Sequence, residues 1–122
     1  MNAFASPYAL PPRSSSAIRP PRDVEYDAFS RATAALRRVQ TGQAGPELTA
    51  ALHLNASLWN TLLADLMSPG NQLPAGLRGD LIGLALFSVR HGLRAASGEA
   101  GVTPLIDINL AVMRGLRGEV AR

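Results

Sequence analysis

Two histidines and nine acids carry the ionisable chemistry on offer beyond the arginines in this 122-residue chain. His53 and His91 have no carboxylate at metal-ligand spacing, and the acids are scattered singly rather than paired as general acid/base work requires. There is no cysteine, which excludes disulfides, thiolate metal sites and cysteine nucleophiles. No nucleophile elbow, phosphate-binding loop or glycine-rich dinucleotide turn occurs. The residues therefore read as a binding module and not an enzyme, with no cofactor or metal expected. The polar side chains that stand out are amides. Asn55 and Asn109 each interrupt an apolar stripe on an expected helix. A buried amide left without a partner costs about 1–3 kcal/mol. Each must therefore bond a neighbouring helix or a chain bound at a groove. Asn109 is the leading internal partner for Asn55.

The elements that position these amides follow from apolar spacing. A first helix is expected over about Val24 to Gln40, with Asp23 as N-cap. Its stripe is Tyr26, Phe29, Thr33 and Leu36, flanked by Ala32 and Val39, with Arg31 and Arg38 opposite. Gly42 to Gly45 links it to a second helix from Pro46 to about Met67, whose stripe is Leu48, Leu52, Trp59, Leu62, Leu63 and Leu66. His53 falls on the polar side. Ser68-Pro69-Gly70-Asn71 is turn chemistry, after which Leu73-Pro74 opens a third helix with proline in its first turn.

That third helix is apolar on two faces: Leu77, Leu81 and Leu84 on one, and Ile82, Leu86, Val89 and Leu93 on the other. A helix apolar on two faces is expected at the centre of a fold, unless one face stays open for a partner. Gly76, Gly79 and Gly83 share a narrow strip, which suits either close helix approach or local fraying. Ser97 to Gly101 is a loop, and Thr103-Pro104 caps a fourth helix to about Val120, with Leu105, Asn109, Val112, Met113 and Leu116 on its stripe. No strand-like alternation is present. The expected fold class is all-α, a compact bundle of about four helices over residues 23–122.

Residues 1–22 hold Pro11-Pro12, Pro20-Pro21 and three arginines, with no acid and no apolar period. They read as a disordered Pro/Ser/Arg-rich arm, dispensable for folding. The formal charge of +3 resides in that arm; from Asp23 onward nine arginines balance nine acids. A neutral folded part argues against nucleic acid as its partner. No apolar run reaches the roughly 20 residues needed to span a bilayer, so no membrane insertion is expected. The first residues lack the charged and apolar regions of a signal peptide, and the absence of cysteine fits a cytoplasmic protein.

The ordered set Asn55-x-x-Leu58-Trp59, Pro69-x-Asn71-x-Leu73-Pro74, Leu77-Arg78 and Leu86-Phe87-x-x-Arg90 resembles the flagellar biosynthesis regulator FlaF of alphaproteobacteria. Glu25-Tyr26 with Phe29 resembles that family's first helix, and Leu105-Ile106-Asp107-Ile108-Asn109 with Gly115-Leu116 its closing segment. The similarity spans about residues 23–118. It implies a cytoplasmic protein needed for flagellin production and export, acting on flagellin directly as a secretion chaperone. A second implied role is post-transcriptional, acting on flagellin mRNA or on the FlbT regulator. Flagellin termini form amphipathic helices that need shielding before export, and a helical groove is a recognised way to hold them. The expected groove lies between helices two and three, with Trp59 near one wall and Ile82, Leu86, Val89 and Leu93 as the apolar face. Asn55, Asn71, Arg78, Phe87, Arg90 and Asn109 complete the expected partner-binding set.

Overall fold

The computed structural model describes residues 21–41 and 45–118. Four helices follow in order: α1 Pro21–Arg38, α2 Pro46–Leu66, α3 Ala75–Ala96 and α4 Thr103–Gly118. No strand occurs among the described residues. The expected arm lies before this span, apart from Pro21 and Arg22, which begin α1.

Helix starts differ from the expected caps by a few residues. α1 begins at Pro21, so Asp23 stands in its first turn and is not the N-cap. Pro46 opens α2 as expected, behind Gly45 at φ 90° and ψ −152°, a conformation essentially confined to glycine. Pro74 is the residue before α3 rather than in its first turn. The Val102 carbonyl accepts the first bonds of α4, from Leu105 N–H at 3.0 Å and Ile106 N–H at 3.2 Å, so the cap falls on Val102. The Thr103 hydroxyl instead accepts a hydrogen bond from the Gln40 amide at 3.2 Å, tying the end of α1 to the start of α4.

α3 stops in a left-handed glycine turn. Glu99 N–H donates to the Arg94 carbonyl at 2.9 Å and Gly98 N–H to the Ala95 carbonyl at 3.1 Å, with Gly98 at φ 84°. These two bonds satisfy carbonyls that the helix end leaves free.

Two apolar clusters give the helix directions. Phe29 and Ala32 meet Leu58, Trp59, Leu62, Leu66, Ala85 and Met113 in one. Leu36 and Val39 meet Ala51, Leu52, Ala95, Leu105 and Ile106 in the other. Each helix therefore runs opposite to the one before it, the up-and-down arrangement that short connections permit. α1 touches both α2 and α4, while α3 lies along α2 and meets α4 only sparsely.

That arrangement corrects the expected place of α3, which is a flank and not the centre. Its buried residues are Ala85, Ser88, His91 and Ala95. Small side chains let its backbone sit close to α2, so its bulky residues are left outside or only half covered. The centre belongs to Trp59 and Phe29, both fully buried and in edge-to-face contact at 5.3 Å.

The glycine strip resolves as an open surface. Nothing lies within 4 Å of a Cβ placed at Gly76, Gly79 or Gly83, so no described helix packs there. Gly83→Ala is therefore expected to raise stability by about 1 kcal/mol. Gly98→Ala should lower it by about 1 kcal/mol, because alanine is strained at positive φ. Urea midpoints moving in opposite directions would bear this out; a loss at both positions would mean that the strip is covered.

Candidate functional site

Trp59 is the single tryptophan, and its indole has one N–H to satisfy. It donates to Asn109 Oδ1 at 2.9 Å. Asn109 Nδ2 donates in turn to Asn55 Oδ1 at 2.8 Å. Three side chains from α2 and α4 thus form one buried relay, with Asn109 in the middle. The Asn55–Asn109 pairing matches the expectation drawn from their places in the apolar stripes. Beside it, the Thr33 hydroxyl donates to the Phe29 carbonyl at 2.7 Å, which explains a polar residue in the α1 stripe.

The relay changes the meaning of three expected partner-binding residues. Asn55, Trp59 and Asn109 are buried in the bundle and spend their polar groups on each other, so none lines a surface groove. Trp59 in particular is not at a groove wall. The reason is that Trp59 points inward, against Phe29 of α1 and Asn109 of α4.

Asn71 and Arg78 brace the α2–α3 connection. Asn71 Oδ1 accepts from Leu73 N–H at 3.1 Å, and its Nδ2 donates to the Asp65 carbonyl at 3.2 Å and to Asp65 Oδ2 at 3.3 Å. Arg78 Nη1 donates to the Leu66 carbonyl at 3.5 Å, a cation at the negative end of α2.

His91 is buried. Its Nε2 lies 2.8 Å from the Gly101 carbonyl oxygen, so Nε2 carries the proton and donates. The ring also stacks on Phe87 at 5.3 Å. His91 therefore pins the α3–α4 loop. Among the described residues no three His, Asp or Glu side chains converge as a metal site.

The remaining expected residues lie on α3, where Ile82 and Val89 pack against the cluster that holds Trp59. Ile82 and Val89 are half-buried, while Leu86, Phe87 and Arg90 are exposed. Relative exposure is 41% at Leu86, 44% at Phe87 and 68% at Leu93. Ile82, Leu86, Val89 and Leu93 recur at helical spacing and make one apolar stripe, with Arg90 beside it. Leu77, on the other expected apolar face of α3, is 48% exposed. It lies in the first turn of α3, beyond what α2 covers, and nothing in helical spacing alone reveals where a neighbour stops.

These features define a small up-and-down helical bundle with a sealed polar interior and one apolar outer face. The chain belongs to the FlaF family: the family model described as "Flagellar protein FlaF" matches residues 7–116. The match reaches further toward the N-terminus than the resemblance at residues 23–118, and it takes in Tyr8 and Leu10. Searches of curated proteins and of solved structures give no match. Among the described residues no helix is long and apolar enough to cross a membrane.

Two substitutions test the relay. Asn109→Ala leaves both the Trp59 N–H and the Asn55 carbonyl without partners and should cost about 3 kcal/mol or more. Ser88→Ala should be neutral or slightly stabilising, because the Ser88 hydroxyl is buried with no hydrogen-bond partner. Urea unfolding followed by Trp59 fluorescence measures both. Equal effects at the two positions would refute this ordering.

Proposed function

We propose that this protein binds flagellin in the cytoplasm and supports its synthesis and export as a secretion chaperone or adaptor. The observation that carries the reading is the outer face of α3, where Leu86, Phe87 and Leu93 stand exposed on one helix. Membership of a flagellar family directs the reading toward a flagellar partner. An exposed stripe of this kind amounts to roughly a few hundred Å², a size that marks binding surfaces on soluble domains. A terminal flagellin helix would lay its own apolar positions against Ile82, Leu86, Val89 and Leu93. Arg90, exposed beside them, suits an acidic neighbour on the bound helix. The seat is the outer side of α3 rather than a groove between α2 and α3.

Leu86→Glu tests the seat. The position is exposed, so the free variant should keep its helical circular dichroism and its melting temperature within a few degrees. Co-purification with co-expressed flagellin should fall at least tenfold. Normal folding with undiminished capture removes Leu86 from the site. Capture should also survive a rise from low to moderate salt, as apolar contact predicts. Steep loss with salt would instead favour action on flagellin mRNA.

A further inference from the structure

The exposed side of α3 carries a strict seven-residue pattern. Gly76, Gly79, Gly83, Leu86, Arg90 and Leu93 step alternately by three and four residues, so they form one continuous seam along the helix. All six are exposed. Ser88 and Ala95, on the opposite side of the helix, are buried in the bundle. The seam is therefore the side of α3 that the bundle leaves unused.

The two halves of the seam differ in shape. Its first half is glycine, and among the described residues nothing lies within 4 Å of a Cβ placed at Gly76, Gly79 or Gly83. Its second half is bulky, with Leu86 and Leu93 41% and 68% exposed. A helix that is a furrow over one half and a ridge over the other is complementary to itself when turned end for end.

We propose that α3 pairs antiparallel with α3 of a second copy of this chain, which covers the seam in the free protein. A twofold axis level with the midpoint between Leu84 and Ala85 brings Leu86 of each copy level with Gly83 of the other. The same axis sets Arg90 level with Gly79 and Leu93 level with Gly76. Each bulky side chain then meets a position that has none, so the two backbones can approach to about 8 Å, the short end of the range for helix pairs. A parallel pair would set bulk against bulk and leave the glycine halves facing each other across a gap.

Charge selects the same orientation. In the antiparallel register Arg90 comes beside Asp80 of the other copy, and the twofold axis makes this contact twice. Asp80 and Arg90 are both exposed, and neither forms an ion pair among the described residues. A parallel pair would face like charges with like, which is unfavourable. One helix pair buries less than the roughly 800 Å² per partner of a standard interface. The dimer is therefore weak, forming at tens to hundreds of micromolar, and in the dilute monomer the glycines stay open. The pairing stands without the flagellin reading; where that reading holds, dimer and flagellin compete for Leu86.

Sedimentation velocity on the full chain without flagellin tests the pairing. The weight-average mass should rise toward that of a dimer between tens and hundreds of micromolar. Gly83→Leu should keep its helical circular dichroism, because the space around Gly83 is open, and should stay monomeric over that range. Asp80→Arg and Arg90→Asp should each weaken association at least tenfold, and the variant carrying both should restore it. A chain that is monomeric at every concentration would overturn the proposal. So would a dimer that survives Gly83→Leu, or one that the paired charge exchange fails to restore. A monomeric chain would leave the flagellin reading intact, and failure to capture flagellin would leave the dimer intact.

Discussion

The structure depends on one buried hydrogen-bond relay, Trp59 to Asn109 to Asn55. An indole N–H and two amides in an apolar interior are tolerable only if they meet. Their meeting fixes the rotation of α4 about its own axis and its height against α2. A shift of α4 by one residue would bury an apolar side chain against Trp59 and leave the N–H without an acceptor. Aliphatic packing alone does not discriminate so sharply, because leucine and alanine side chains accommodate one another in several registers. With six aromatic residues in 122, the chain has few other large, shaped side chains to specify one packing.

The relay also explains how the bundle is divided. α1, α2 and α4 surround it and carry the well-buried positions. α3 contributes small residues to its contact with α2 and keeps Leu86, Phe87 and Leu93 outside. Interior order and exterior stickiness thus reside on different helices. A partner can engage α3 without disturbing Trp59. His91 holds the far end of α3 through the Gly101 carbonyl, while Asn71 and Arg78 hold the near end. The apolar face is presented on a helix fastened at both ends.

Family membership and the apolar face bear on function from different directions. One places the protein among flagellar proteins; the other is a set of exposed apolar side chains on α3. The polar interior offers no competing surface, because its polar groups are already engaged by the fold itself.

Much of this was legible in the residues. Helix number, the stripes on α1, α2 and α4, the turn at Ser68–Asn71 and the burial of Asn55 and Asn109 all follow from local periodicity and from the cost of an unbonded amide. The ordered motifs pointed to the FlaF family. Three things required the tertiary structure. The caps of α1 and α4 moved because cap position depends on where neighbouring chain lets the helix begin. The place of α3 was misread because helical spacing shows which faces are apolar but not how many neighbours are available to cover them. Trp59, Asn55 and Asn109 were expected at a partner surface, whereas their hydrogen bonds close inside the bundle. A sequence shows that a polar group needs a partner; only the packing of distant helices decides whether that partner belongs to the same chain.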